Sequence, residues 1–303
     1  MKPVLIVFTS VLLVSEYGAG AAIAQLRQKP PQKVQIQQEI VVPANETADQ
    51  LLERGNAYIR LDNLEGAVVL FRAAIKKNPE LTAAHYNLGI AHAQSGKLKE
   101  AIYSFQRATR LDPKFAIAFS NLGAAQLQSG DPTQAIPNLQ RAIRLDPNLT
   151  VAYYNLGLAF KDKQDTNNAI ASLNQALQLN PQSPETIYHL GLLIQTQGDI
   201  PRAIAYYAKA VLLNPEYAEA HYNLGAALLI QGQMDQAIAH LRKAVQFRKD
   251  YAEALYTLGI AQSKVGQKQD AIQSLIQAQA YFNQQKKPQW AQQSERQIQK
   301  LRK

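Results

Sequence analysis

Histidine is the side chain in this sequence best suited to acid–base chemistry or metal binding, because its pKa lies near neutrality. The five histidines are His85, His92, His189, His221 and His240. None belongs to an HExxH motif, and the sequence offers no Ser/His/Asp order, no paired carboxylates and no cysteine. The sequence therefore predicts that the protein is not an enzyme and that it uses no metal and no cofactor.

Glycine recurs with a fixed period of 34 residues. The recurring positions are Gly55, Gly89, Gly123, Gly157, Gly191, Gly225 and Gly259. Alanine repeats at the same interval, for example at Ala101 and Ala135. A period of this length is the signature of a solenoid. It predicts seven units over 48–285 without insertion, and it leaves no glycine-rich loop to hold a phosphate.

Residues 82–115 show how one unit is organised. Small or apolar side chains in the first half follow the 3.6-residue period of a helix, and they are His85, Leu88, Gly89 and His92. Gly96 separates this helix from a second one, which Pro113 ends. A glycine inside a helix costs about 1 kcal/mol relative to alanine, so its recurrence predicts close contact with a neighbouring helix. The three histidines on this stripe, His85, His92 and His221, are expected in the core.

The unit resembles the tetratricopeptide repeat, which has a Leu-Gly pair in its first helix, two alanines in its second and a closing proline. The Leu-Gly pairs are Leu88-Gly89, Leu122-Gly123, Leu156-Gly157, Leu190-Gly191, Leu224-Gly225 and Leu258-Gly259. The resemblance implies an all-α fold, a right-handed superhelical solenoid of helix-turn-helix repeats. Its units would be 48–81, 82–115, 116–149, 150–183, 184–217, 218–251 and 252–285. It also implies binding of a protein partner, as a peptide or helix, in a concave groove.

The groove expected from this resemblance is lined by residues two, five, six, nine, twelve and thirteen of each unit. Position five carries Tyr86, Tyr154, Tyr188, Tyr222 and Tyr256, and position six carries Asn87, Asn121, Asn155, His189 and Asn223. Asparagine is a poor helix former, so its recurrence needs a cause. Two interpretations stay open: a hydrogen-bonded ladder within the fold, or donors and acceptors for the backbone of a bound peptide. Such a ladder resembles the repeat superhelix of the O-linked N-acetylglucosamine transferases, without their catalytic domain.

The net charge of +9 is concentrated outside the repeats, which together carry only +3. The last eighteen residues, 286–303, carry +5 through Lys286, Lys287, Arg296, Lys300, Arg302 and Lys303. The groove positions lack a regular series of lysine or arginine, so the sequence favours a neutral peptide or helix over an acidic tail or a nucleic acid. The alternative function is tethering, in which the basic tail contacts a membrane or an anionic polymer.

The segments outside the repeats have separate predicted roles. Residues 1–24 contain an apolar run and Ala22-Ile23-Ala24, which fits a cleaved signal peptide or a membrane anchor. Either role predicts export to a periplasmic or extracellular location. Residues 25–47 are predicted to be a flexible linker, and Thr47 with Gln50 predicts a capping box. Residues 286–303 are predicted to form a basic capping helix with Trp290 packed on the last unit.

Overall fold

The computed structural model describes residues 40–303, which are built from fifteen α-helices and contain no strand. The leader at 1–24 and the linker residues 25–39 lie outside the described residues. The helices are α1 (Ala48–Arg60), α2 (Leu64–Lys77), α3 (Thr82–Gln94), α4 (Leu98–Leu111), α5 (Ala116–Gln128), α6 (Pro132–Leu145), α7 (Thr150–Asp162), α8 (Thr166–Leu179), α9 (Pro184–Thr196), α10 (Ile200–Leu213), α11 (Ala218–Ile230), α12 (Met234–Phe247), α13 (Ala252–Lys264), α14 (Lys268–Gln284) and α15 (Pro288–Arg302). Each odd-numbered helix from α1 to α13 begins at the first residue of a predicted unit.

The turns between paired helices require a left-handed residue. Glycine supplies it in most pairs, but Asp62 and Gln164 adopt φ values of 57° and 61° at the equivalent place. The first helix begins with the predicted capping box, in which the Thr47 hydroxyl accepts from the Gln50 amide at 3.2 Å and the Gln50 side chain accepts from the Thr47 amide at 2.8 Å. These local devices fix where each helix starts and stops.

The described part of the first compact unit comprises residues 40–169. Its paired helices pack closely because glycine removes a side chain from the contact: a Cβ at Gly89 would lie 2.6 Å from the ring of Phe105. Residues 40–47 of the predicted linker lie against the first helix pair. Arg54 pairs with Glu46, and the Lys77 ammonium donates to the carbonyl of Ala44 at 2.7 Å. These two basic side chains therefore hold residues 40–47 against the first helix pair.

The second compact unit comprises residues 170–303 and has the same internal packing. A Cβ at Gly225 would lie 2.7 Å from Leu241 Cγ and 3.0 Å from the carbonyl oxygen of Ala237. Helix α15 closes the unit, with Ser294 and Ile298 buried. The ring of Trp290 stacks on Phe282 at 5.7 Å between centroids and remains 45% exposed. Residues 286–303 thus cap the apolar end of the last helix pair.

Two further features of the helices bear on the sequence predictions. A proline inside a helix removes a backbone hydrogen bond, so Pro137 alone predicts that α6 is kinked or delayed. The helix nevertheless begins at Pro132, after the Asp131 cap, and continues through Pro137. The expected delay is wrong, because Asp131 and the proline at the first helical position fix the start of the helix.

Among residues 40–303, none of the helices has the length and apolar character needed to cross a bilayer.

Candidate functional site

We use the term strip for the residues at positions two, five, six, nine, twelve and thirteen of the odd-numbered helices α1 to α13. The tyrosines at position five reach from one odd-numbered helix to the next. In the first unit the Asn121 amide donates to the Tyr86 hydroxyl at 2.9 Å. In the second unit Asn223 donates to Tyr188 at the same distance. Within each unit, strip residues that the sequence predicts therefore lie close together, and some are hydrogen-bonded to each other.

Burial separates these predicted residues into two groups. Tyr86 and Asn87 are each 1% exposed, and the Asn87 amide donates to Asn56 Oδ1 at 2.7 Å. The buried group is completed by Tyr154, Asn155 and Tyr188. The half-buried group comprises Asn121, His189, Tyr222, Asn223 and Tyr256. Tyrosine–asparagine bonds therefore link α3 to α5 in the first unit and α9 to α11 in the second, and we call these bonds the tyrosine–asparagine ladder. The half-buried group keeps part of its surface exposed.

The ladder is electrically neutral at physiological pH. Burial is the main cause that raises the pKa of Tyr86 above its usual range, with the Asn121 hydrogen bond acting in the opposite direction. Burial also raises the pKa of Tyr188 to about 12, and the carboxylate of Glu219 adds to that shift. The hydroxyls thus stay protonated and act as hydrogen-bonding groups.

Sequence reasoning missed three carboxylates on the strip, because it summed charge over each repeat and did not follow single positions. Position two carries Glu185, Glu219 and Glu253 in the second unit. The same position carries Asp49 on α1 and the apolar residues Ala83, Ile117 and Val151 on α3, α5 and α7 in the first unit. The strip is therefore acidic at position two in the second unit.

Two of these carboxylates are paired with cations from the chain itself. Arg248 Nη1 lies 2.7 Å from Glu219 Oε1, and the guanidinium carbon lies 3.3 Å above the centroid of the Tyr251 ring. Lys287 Nζ lies 2.5 Å from Glu253 Oε1. Glu185, unlike Glu219 and Glu253, forms no ion pair within residues 40–303. Its carboxylate accepts a hydrogen bond from the Ser183 hydroxyl at 3.2 Å.

The histidines predicted to lie in the core do so. His85 and His221 each donate from Nε2 to a proline carbonyl, that of Pro79 at 2.9 Å and that of Pro215 at 3.0 Å. His92 is buried as well, and burial lowers the pKa of all three. Within residues 40–303, no cluster of three or more His, Asp or Glu side chains could hold a metal ion.

His221 on α11 also contacts a second histidine, His240 on α12. His221 Nδ1 and His240 Nδ1 are 3.0 Å apart. Because His221 donates from Nε2, its Nδ1 accepts, and His240 Nδ1 donates. Burial, then the neighbouring His221, lowers the pKa of His240 to about 4. This arrangement suits two neutral imidazoles that hold α11 against α12.

The six basic residues at 286–303 differ in their exposure to solvent. Lys287 is half-buried and bonded to Glu253. The other five are exposed, and they are Lys286, Arg296, Lys300, Arg302 and Lys303. The basic surface proposed for tethering is therefore smaller than the sequence indicated.

Comparison with known protein families identifies repeats along most of the described chain. Models described as tetratricopeptide repeat match residues 52–114, 188–255 and 228–293. A model described as TPR repeat matches residues 127–164 and 159–198. Together these matches span well over half of the chain. No curated protein matches it significantly.

Solved structures share the fold at low sequence identity. A tetratricopeptide repeat protein from Parabacteroides merdae aligns with a TM-score of 0.64 at 18% identity, covering 82% of this chain and 98% of that one. The pilF protein of Pseudomonas aeruginosa aligns with a TM-score of 0.61 at 20% identity, covering 68% and 94%. YrrB, described as a TPR protein with an unusual peptide-binding site, aligns with a TM-score of 0.50 at 23% identity, covering 61% and 95%.

Proposed function

Because the chain belongs to the tetratricopeptide repeat proteins, we propose that it is a non-enzymatic scaffold that binds a peptide or helical segment of a protein partner along the strip. Tetratricopeptide repeat proteins generally mediate protein–protein interactions, and the YrrB structure is described as having a peptide-binding site. We also propose that the repeats number seven and span 48–285.

The observation that carries this proposal is the accessibility of the strip in the second unit. Positions nine and twelve of that strip are half-buried, and they carry Leu192, Gln195, Ala226, Leu229, Ile260 and Ser263. At position thirteen Ile230 is 66% exposed. Leu192 and Leu229 pack against the core of the second unit but, like Ile230, they keep part of their apolar surface in water. They suit a partner that contributes apolar area and a few hydrogen bonds.

Selection of random short peptides by the full chain tests this proposal. The affinity of a selected peptide is then compared between Ile230→Ser, on the strip, and Leu212→Ser, which is 78% exposed on α10 and off the strip. We expect Ile230→Ser to weaken binding about fivefold, ~1 kcal/mol, through lost apolar contact. Leu212→Ser should leave the affinity unchanged. Equal effects of the two substitutions, or no selected peptide, would refute binding along the strip.

A second candidate is the tethering function, which is favoured by the exposed basic side chains on α15. Changing Arg296, Lys300, Arg302 and Lys303 together to glutamine leaves the buried side of α15 intact. If the tail tethers the protein, this variant should lose retention on heparin or on anionic vesicles while keeping its affinity for a selected peptide. Unchanged retention would refute tethering.

We further propose that the protein is exported. The support is the apolar run that ends in Ala22-Ile23-Ala24, which matches the small-x-small pattern of a cleavage site. Intact-mass measurement of the natively expressed protein tests it. A mature chain beginning at Gln25 is expected, whereas a mass that retains residues 1–24 would indicate the anchor instead.

A further inference from the structure

The even-numbered helices of the first unit carry a concentration of positive charge. Helices α2, α4 and α6 together contain eight lysine or arginine residues and only two carboxylates, Glu65 and Glu100. None of the eight cations forms an ion pair within residues 40–303. They are Arg72, Lys76, Lys77, Lys99, Arg107, Arg110, Arg141 and Arg144.

The corresponding helices of the second unit are closer to neutral. Helices α10, α12 and α14 contain five cations and two carboxylates. Two of these cations are paired, Arg202 with Asp199 at 3.5 Å and Arg242 with Asp270 at 3.7 Å. Within residues 170–303, these three helices therefore keep three cations without an ion pair, whereas α2, α4 and α6 keep eight.

Exposed apolar side chains lie among the cations of the first unit. Val69 on α2 and Tyr103 on α4 occupy the same repeat position, and they are 42% and 65% exposed. Pro137 occupies that position on α6 and is also exposed. On α10, α12 and α14 the same position carries the small or polar residues Ala205, Ala239 and Gln273.

The helix period places each of these apolar side chains on the same face as a cation. A residue seven places further along a helix lies almost two turns away, about 10 Å along the axis and on the same side. Exposed cations occupy that place in all three helices, and Arg72 and Lys99 lie one turn from Val69 and Tyr103. We use the term outer face for these residues, which are Val69, Arg72, Lys76, Lys99, Tyr103, Arg110, Pro137 and Arg144.

Helix stability explains only part of the outer face. Lys76, Arg110 and Arg144 lie in the last turns of their helices, where a cation also interacts favourably with the helix dipole. That effect does not account for Lys99 in the first turn of α4, or for an aromatic ring that is exposed at Tyr103.

Cations around a small apolar centre match the surface of an anionic bilayer. Lysine and arginine are attracted to the lipid phosphates, while apolar and aromatic side chains enter the headgroup region. A soluble polyanion would contact the same cations but would leave the side chains of Val69 and Tyr103 in water. The combination of charge and exposed apolar surface therefore favours a membrane surface over a soluble polyanion.

We infer that the outer face binds an anionic phospholipid surface. This inference goes beyond the proposed function, because the strip lies on the odd-numbered helices and the outer face lies on the even-numbered ones. It also assigns the lipid contact to a different surface from the tail of α15.

Sedimentation of the full chain with lipid vesicles tests this inference. Vesicles that contain phosphatidylglycerol should bind the protein more tightly than vesicles of phosphatidylcholine alone, which measure any contribution of the apolar run at 1–24. Changing Arg72, Lys76, Arg110 and Arg144 together to glutamine should remove this difference, weakening binding to the anionic vesicles at least tenfold.

A matched variant removes the same charge from the other basic surface. Changing Arg296, Lys300, Arg302 and Lys303 together to glutamine should weaken binding to the anionic vesicles much less. Circular dichroism and thermal melting check that both variants are folded. Equal losses from the two variants would indicate an effect of net charge, and a loss from the α15 variant alone would assign the contact to the tail. Either result would overturn the inference.

Tyr103→Ser separates a membrane surface from a soluble polyanion. This substitution should weaken binding to the anionic vesicles about fivefold through lost apolar contact, and it should leave retention on heparin unchanged. Leu212→Ser, at an exposed apolar side chain on α10, should change neither. Vesicle binding that Tyr103→Ser leaves intact, or no preference of the unmodified chain for anionic vesicles, would also overturn the inference.

The strip provides an independent control. A peptide selected by the full chain should bind the outer-face glutamine variant with unchanged affinity, because the substituted residues lie off the strip. Failure of the vesicle experiments would therefore leave the proposed scaffold function standing.

Discussion

The two compact units share a scaffold but differ in the surface that it presents. Their paired helices approach equally closely, since a Cβ would lie 2.6 Å from the nearest side chain at Gly89 and 2.7 Å at Gly225. Strip positions nine and twelve are buried in the first unit at Ile90, Ala93, Ala124 and Leu127, with Lys161 on α7 half-buried. Their counterparts in helices α9, α11 and α13 are all half-buried. Position two is apolar on α3, α5 and α7 and glutamate on α9, α11 and α13, although α1 also carries an acidic residue there, Asp49. We therefore propose that folding and recognition depend on different positions of the same repeat.

We assign the tyrosine–asparagine ladder to folding and not to recognition. It occurs in both units with the same 2.9 Å bond between consecutive odd-numbered helices, at Tyr86 and at Tyr188. Because this ladder occurs in both units, where the strip is accessible and where it is buried, we expect it to contribute to stability. What distinguishes the second unit is its glutamates and its open apolar positions, and we assign recognition to those.

The largest expected effect is loss of the helix contact in either unit. Leucine at Gly89 or at Gly225 would place a large side chain where even a Cβ is too close, so each should lower the free energy of unfolding by about 1–3 kcal/mol or more. Thermal melting measures this. As a control, Ala226→Leu, which adds similar volume at a half-buried strip position, should cost much less. An effect in one unit alone would show that the scaffolds differ.

The ladder should show the next largest effect. Asn121→Ala leaves the buried Tyr86 hydroxyl without its donor, which should cost about 1–3 kcal/mol of stability. Asn223→Ala should cost less, because Tyr188 is less deeply buried. Adding Tyr86→Phe to Asn121→Ala should restore much of the loss, since it removes the orphaned hydroxyl. If neither single substitution changes the melting temperature, the asparagines are free for recognition and the assignment made here is wrong.

Acid should destabilise the second unit through its histidine pair. Burial lowers the pKa of His221, and it lowers that of His240 to about 4 from 6.5, with Lys243 contributing to both shifts. The folded state therefore favours neutral rings, and below pH 6.5 the unfolded chain binds more protons than the folded chain. Stability should fall as pH decreases from 6.5 towards 4.

Paired substitutions locate that pH dependence. Replacing His221 and His240 together with glutamine should flatten the melting-temperature profile more than replacing His85 and His92 together. The physical reason is that burial, and then His221 at a 3.0 Å separation, lowers the pKa of His240 to about 4. A profile that is unchanged by the first double variant would contradict this account.

The smallest effect is expected at the turns. Gln164 holds a left-handed φ of 61°, whereas the corresponding turns of the second unit use Gly198, Gly232 and Gly266. Gln164→Gly should stabilise the first unit by roughly 0.5–1 kcal/mol, because relief of left-handed strain outweighs the entropy of glycine. The converse change, Gly232→Gln, should destabilise by a similar amount. Melting temperatures that move in the opposite directions would show that the turns are not strained.

The fold was predictable because its signals are local and repeated. The period of glycine, the closing prolines and the Thr47 capping box placed the helix starts, and the Pro137 delay failed because the Asp131 cap dominates locally. The strip was predictable as a set of positions, but burial was not. Whether Asn87 faces Asn56 or solvent depends on the separation of successive helices, which the sequence does not state.

The glutamates at position two were missed for a different reason. Glu185, Glu219 and Glu253 are visible in the sequence at one repeat position, and reading charge by position would have found them. The pairing of Glu219 with Arg248 could not be found that way, because Arg248 comes from the loop after α12 and its direction depends on the path of that loop. Contacts between a repeat position and a connecting loop need coordinates.

Photo-cross-linking of a selected peptide to the full chain tests the central claim most directly. A benzophenone side chain is placed at successive positions of the peptide, and the attachment sites are mapped by mass spectrometry. The account predicts attachment on α9, α11 and α13, near Glu185 and Ile230, and loss of attachment when excess unlabelled peptide competes. Competed attachment on α3 and α5 instead, or on the basic face of α15, would contradict it.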